Sequence, residues 1–250
     1  MIQIKSVTDL NLIKQAAKIW KETRTALIAK THAGITTNEL DLIAKSVIEG
    51  NECTCTFHDY HGFPGYICIS VNDQLIHGIG DKYRLKPGDL ITFDIGVTYQ
   101  NHICDAAFTL IVDGTNNLTE QTKILAATNS ALTRAIEQAV VNNTIGDISF
   151  AIESTAHQFG YEVVKDFSGH GCGNKLHEDP MIPCYGKPKT GPKIVENMTL
   201  CIEPMLMTKS DKYYIDKNNH WTVYSKNHQL TCHCEHMILI TKNGPEILTA

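Results

Sequence analysis

The feature of this 250-residue sequence that most restricts its fold is a repeat of its own element order at a nearly constant offset. Ile35 and Ile145, and Gly50 and Gly160, are each 110 positions apart, while His61-Gly62 and His170-Gly171, and Asp94 and Glu203, are each 109 apart. In the first half, Leu12, Ile13, Ala16, Ala17, Ile19, Trp20 and Leu27 recur at three- and four-residue steps between Thr8 and about Lys30, the spacing of a long amphipathic helix. A second helix is expected from the capping-box pair Thr36 and Glu39, through the stripe Leu40, Ile43, Ala44, Val47 and Ile48, to a stop at Gly50. Strand-like runs follow at 66–71, 89–98 and 103–112, broken by Pro87-Gly88 and Asp113-Gly114.

The same order then recurs, with helices expected over 120–141 and 147–159 and strands through most of the remainder. Helix, helix, strands, twice over, reads as an ancient duplication into halves of roughly 1–115 and 116–250. The fold class expected is α+β, with two pseudo-symmetric αβ halves whose antiparallel strands meet around a central cleft and whose helices lie outside. No Gly/Ser-rich linker separates the halves, and the connection at 113–118 is too short for a tether, so residues 1–250 are expected to form one domain.

Charge limits the partners. Lys+Arg of 22 against Asp+Glu of 27 leaves −5, no basic excess to neutralise a phosphate backbone or an anionic membrane surface. No run approaches the ~18 apolar residues of a spanning helix, and the opening residues lack the layout of a signal peptide. A cytoplasmic protein, free of membrane and of specific nucleic acid, is expected. Nine cysteines, an odd count scattered over a long chain, are expected to be reduced thiols. Two clusters offer donors for zinc: Cys53 and Cys55 with His58 and His61, and Cys232-His233-Cys234 with His236. Structural zinc pairs usually leave two or more residues between cysteines, so the single spacer argues against both.

Acids stand where strands should be apolar. Asp94 lies among Ile91, Phe93, Ile95 and Val97, and Asp105 between Cys104 and Ala106. With a turn centred on Tyr99-Gln100, pairing follows i + j = 199 and sets the two carboxylates directly opposite each other, where they repel. Glu203 ends the run MTLCIEP at the duplicate position of Asp94, and Glu235 interrupts CHCEHMILI. No lysine or arginine enters these segments, so something else cationic is needed to offset buried charge. Four carboxylates and one imidazole form a hard donor set for Mn²⁺, Co²⁺, Fe²⁺ or Zn²⁺. The imidazole is expected from His170 in the glycine-rich SGHGCGNKLHEDP, with His177 seven residues on.

Over essentially its whole length the sequence resembles the type I methionine aminopeptidases, dinuclear metallopeptidases of the pita-bread fold. The resemblance rests on YHGFPGYICISVND, IHGIG, GDLITFD, HICDAAF, GHGCGNKLHEDP, LCIEP, HWTVYSKNHQLTCHCEH and GPEIL, in that order. It implies two divalent ions, cobalt, manganese, iron or zinc. Asp94 would chelate one, Asp105 and Glu235 would bridge both, and His170 with Glu203 would complete the second. It further implies attack by a hydroxide bridging the ions, a proton carried by Glu203 from water to the leaving amine, and contacts from His177 and His77 to the scissile amide. Tyr60, Phe63, Cys68, His77, Leu176, His177 and Trp221 match positions that bind the methionyl substrate. Implied partners are N-terminal methionine peptides and nascent chains, encountered at the ribosome, acted on by a monomer that prefers a small second residue.

Phe57, Leu176 and Glu196-Asn197 depart from the family's usual residues, the first two in the pocket and the third in a turn. None removes a ligand. Prolidases and Xaa-Pro aminopeptidases look similar at all five ligand positions but carry a further N-terminal domain, for which the residues before Tyr60 leave no room. Type II methionine aminopeptidases carry an insertion between positions that here stand only 26 residues apart, His177 and Glu203. A non-catalytic adaptor of the same fold would be expected to lose ligands, and this sequence keeps all five.

Overall fold

Backbone N–H groups at the start of a helix need acceptors, and the four α-helices among the described residues begin where side chains organise the first turn. In the computed structural model, which describes residues 2–114 and 119–250, α1 (Val7–Lys30) opens at Ser6. The Ser6 hydroxyl accepts the Asp9 N–H, and the Asp9 carboxylate accepts the Ser6 N–H in return. The capping box of Thr36 and Glu39 opens α2 (Thr37–Gly50) as the sequence predicts. Further on, α3 (Glu120–Gln138) ends three residues before the expected 141, and α4 (Ile145–Gln158) starts two residues before the expected 147 and ends one before 159. The first stops short of residue 141 because Asn142 N–H donates to Ile194 O and Asn143 O accepts from Ile194 N–H, drawing the chain off the helix axis. The second starts two residues before Asp147, at the cap Thr144, whose N–H and hydroxyl both donate to the Asp147 carboxylate. The link at 115–118, read from the sequence as a short connection, lies outside the described residues.

The strands are β1 (Thr54–Cys55), β2 (Cys68–Val71), β3 (Gln74–Ile76), β4 (Leu90–Tyr99) and β5 (His102–Ile111) in the first half. In the second half they are β6 (Glu162–Val163), β7 (Ser168–Gly171), β8 (Glu178–Pro183), β9 (Thr199–Ile202), β10 (Met205–Met207), β11 (Tyr213–Ile215), β12 (Val223–Ser225), β13 (Thr231–His233), β14 (His236–Thr241) and β15 (Gly244–Ile247). Strand β4 pairs with β1 and β2 on one edge and β5 on the other, and a five-stranded sheet runs β15-β14-β9-β7-β8. Two three-stranded sheets, β13-β10-β6 and β11-β12-β3, complete the antiparallel set.

Alternation along β4 divides its two faces. Ile91, Phe93, Ile95 and Val97 enter a core with Trp20 and Leu27 of α1 and Leu40 and Ile48 of α2, where each large side chain contributes roughly 1.5–3 kcal/mol by leaving water. Asp94 is on the opposite face. The Trp20 indole N–H donates to Ala106 O at 3.0 Å, fixing α1 to β5. From α2, the buried Asp41 carboxylate accepts the N–H groups of Tyr66 and Ile67, which sets the entry to β2. A second core gathers α3, α4 and the second-half strands around Ile148, Ile152, Leu200 and Leu206.

The hairpin register differs from the sequence expectation. Tyr99 pairs with His102, so i + j = 201, Asp94 faces Ala107 and Asp105 faces Gly96. The turn is centred on Gln100-Asn101, both with positive φ (45° and 63°), as a two-residue hairpin loop matched to strand twist requires. Because the displacement is two residues, the acids keep the same face. They stand diagonally, at a separation nearer ~7–8 Å than the ~5 Å of a direct pair, which leaves room between them.

Candidate active site

Every residue singled out from the sequence as ligand, catalyst or pocket lines one cavity of about 360 Å³. At its acidic end Asp94 projects from β4, Asp105 from β5 and His170 from β7, while Glu203 follows β9 and Glu235 precedes β14. Contacts between strands bring these distant segments together: Glu235 N–H donates to Ala107 O at 2.8 Å, and the Cys201 thiol lies 3.5 Å from Asp105 O. His170 Nδ1–H donates to Gly171 O at 2.9 Å, leaving Nε2 with a free lone pair 3.8 Å from both Asp105 Oδ2 and Glu203 Oε1.

The electrostatics call for cations. Asp94 Oδ1, Asp105 Oδ1 and Glu235 Oε1 are buried without a hydrogen-bond partner among the described residues. Burial pushes the Asp94 carboxyl up to about 7. Burial, then the charges of Glu235 and Asp94, hold Asp105 well above the carboxylate range; burial, then Glu203 and Asp94, do the same to Glu235. Donor atoms of Asp105, His170, Cys201 and Glu235 all lie within 4.8 Å of one another. Orphaned oxygens at that spacing suit divalent ions, which would keep the acids ionised.

The other end of the cavity is apolar. Phe57, Phe63, Cys68 and Leu176 form a buried cluster with Tyr60 and Trp221 against it, the Phe63 and Trp221 rings meeting edge to face at 5.2 Å. Cys68 pairs with Asp94 across β2 and β4, so this pocket abuts the acids. Gly96 is required here, since a Cβ would fall 2.7 Å from the Phe57 ring. Phe57, noted from the sequence as a departure, is thus part of the pocket wall.

His177 and His77 flank the junction. The Tyr60 hydroxyl and His177 Nδ1 are hydrogen-bonded at 3.1 Å, and burial pushes the imidazole down to about 4, so it is neutral; with the hydroxyl as donor, the ring proton sits on Nε2. His77, at the end of β3, has φ of 56°, a strained conformation, and burial also lowers its proton affinity. Its carbonyl accepts from the Thr222 hydroxyl, and its ring lies 6.3 Å from that of Trp221.

The structure also supplies residues that the sequence reading missed. Phe167, Ser168, Ile76 and His61 complete the lining. His233 reaches the centre from behind, with Nε2 3.3 Å from Glu203 Oε2 and 3.9 Å from Glu235 Oε2. The sequence carries a signal for it, since a residue two before a strand acid faces the same side, although its place between Cys232 and Cys234 also suggests zinc. Those thiols are packed in the second core, and Cys53 and Cys55 in the first. Neither proposed zinc set converges among the described residues.

Residues 11–242 match metallopeptidase family M24. A methionine aminopeptidase of Mycoplasma genitalium is 40% identical over 250 residues, covering 100% of both chains. The crystal structure of methionine aminopeptidase from Rickettsia prowazekii superposes with a TM-score of 0.96 at 31% identity, again covering 100% of both. Prolidase from Pyrococcus furiosus shares the fold at 23% identity and a TM-score of 0.78, with this chain spanning 65% of that one. The pita-bread α+β class is therefore the observed one. Similarity of this extent, over the full length of the nearer relatives, establishes that the chain belongs to metallopeptidase family M24, among its methionine aminopeptidases.

Proposed function

We propose that this chain removes methionine from the N-termini of peptides and nascent chains, using divalent metal and preferring a small second residue. The observation that carries this reading is the single cavity in which an acidic, imidazole-bearing end meets an apolar pocket, joined where Cys68 faces Asp94. Asp94, Asp105, His170, Glu203 and Glu235 would hold two ions, from among cobalt, manganese, iron and zinc. Such ions supply Lewis acidity, polarising the scissile carbonyl and acidifying water.

The protein's own groups do the rest. Glu203 takes a proton from water and returns it to the leaving amine. His177, neutral and held by Tyr60, presents Nε2–H to the amide oxygen as charge grows there, and His77, lining the same cavity, contacts the same bond. The pocket of Phe57, Phe63, Cys68, Leu176 and Trp221 takes an unbranched thioether and excludes water. Crowding at the acidic end limits the second residue's bulk.

One domain with halves of 1–115 and 116–250 belongs to the same reading, supported by matching bridges Thr36↔Arg84 and Thr144↔Lys193 at the starts of α2 and α4. So does a cytoplasmic location, supported by nine free, buried cysteines, and a monomer acting on nascent chains at the ribosome is part of the same reading. Among the described residues, no helix is long and apolar enough to cross a membrane.

Peptide release by metal-stripped and metal-reconstituted protein tests the proposal. Stripped protein should be inactive, with Mn²⁺, Co²⁺ or Fe²⁺ restoring cleavage of Met-Ala peptides well above Met-Lys. A methylene in a pocket is worth only ~1–3 kcal/mol, so selectivity should be marked but incomplete. Full activity in excess chelator, or faster turnover of Ala-Pro than Met-Ala, would overturn it.

A further inference from the structure

Glu203 stands between two imidazoles. Its Oε1 is 3.8 Å from His170 Nε2, and its Oε2 is 3.3 Å from His233 Nε2. The two histidines are placed differently: His170 is on the cavity wall, whereas His233, 1% exposed, is behind the carboxylate and outside the lining. Both His233 ring nitrogens are buried without a hydrogen-bond partner among the described residues. Its backbone is held rigidly, paired with Met205 in β10 and accepting the Thr109 hydroxyl at its carbonyl. Glu203 is held less firmly: it follows the last residue of β9 and precedes Pro204, which has no N–H to give a ladder, and its carbonyl accepts the weak donor of the Cys184 thiol at 3.3 Å.

We propose that His233 is a positioning residue, which grips Glu203 Oε2 through Nε2–H and so turns Oε1 toward His170 and the metal side. This rests on the metal-dependent reading above. A buried donor this close to a carboxylate closes the bond with a small ring rotation, because leaving both groups unpaired is costly. Liganding carboxylates are ordinarily held by such outer partners, whose loss costs about 10- to 100-fold in metal affinity or activity.

The test uses two amides of different reach. In His233→Gln the side-chain N–H extends about as far as Nε2; in His233→Asn it extends only about as far as Nδ1 and falls short of Glu203. Purified wild type and both variants would be stripped and titrated with Co²⁺, following the visible spectrum and calorimetric affinity, and then assayed on a Met-Ala peptide. Expected are about tenfold or more weaker Co²⁺ binding by H233N with band positions unchanged, near-wild-type binding by H233Q, and a fall in kcat for H233N with KM retained. Wild-type affinity and turnover in H233N would overturn the proposal. Displaced bands in H233N would also overturn it, by making His233 a ligand itself. Should wild type bind Co²⁺ yet release no methionine, the proposed function fails, and the binding comparison still decides the role of His233.

Discussion

Replacing Asp94 with asparagine should stabilise the metal-stripped protein at alkaline pH while weakening the metal-loaded one. Asp94 lies beside the orphaned oxygens of Asp105 and Glu235, and in the absence of a cation burial raises its carboxyl from 3.8 to about 7. Between those values the folded chain holds a proton that the unfolded chain releases. The stabilisation is fully present below about 4 and is lost as pH rises through about 7. At ~1.4 kcal/mol per tenfold change in proton affinity, the whole displacement corresponds to roughly 4 kcal/mol. Asparagine is nearly isosteric and does not ionise, so D94N escapes that loss. Its advantage over wild type should be largest near pH 8 and shrink by a few kcal/mol toward pH 5. His177 and His236, both pushed down to about 4 by burial, titrate with the opposite sign but are common to both proteins and cancel in the difference, whereas Asp105, Glu235 and His233, each raised in part by the Asp94 charge, lose part of that shift in D94N and change the difference in the same direction. Urea denaturation of both proteins in chelator at pH 5, 6.5 and 8 measures the effect. A difference that is independent of pH, or that grows on acidification, would refute the account of Asp94 as a carboxylate held in place for a cation.

Three further outcomes are expected. His177→Ala should retain metal and KM while kcat falls ~10² to 10³ fold, as for loss of a donor to developing charge; elemental analysis and steady-state kinetics check it, with the surface variant His157→Ala as control. Lys5→Ala should destabilise the fold by about 3–5 kcal/mol in urea denaturation, because it strands the buried Glu178 carboxylate whose Oε1 accepts the amides of Asn174 and Lys175. The same variant should lower turnover, since that loop carries Leu176 and His177, and unchanged kcat would show that the loop holds its shape without the ion pair.

What the sequence determines by itself is what short segments encode. The caps Thr36–Glu39 and the stripe through Ile48 place α2 because a helix start is settled within four residues and its face by a 3.6-residue period. Asp94, Asp105, Glu203 and Glu235 are conspicuous because an acid in an apolar strand violates a two-residue alternation that is equally local. Where local signals compete, the reading fails by small amounts: Asp147 resembles a helix start but is the partner of the cap Thr144. The hairpin register depended on which two residues would accept positive φ, and Gln100-Asn101, rather than Tyr99-Gln100, did so. Only tertiary structure decides the rest. His233 meets Glu203 from 30 positions away, Lys5 meets Glu178 from 173 away, and Cys68 becomes the hinge between pocket and acids by pairing with Asp94. Those contacts are made by strand pairing and by segments distant in sequence meeting in space, and no periodicity within a single strand specifies which distant side chain will stand beside it.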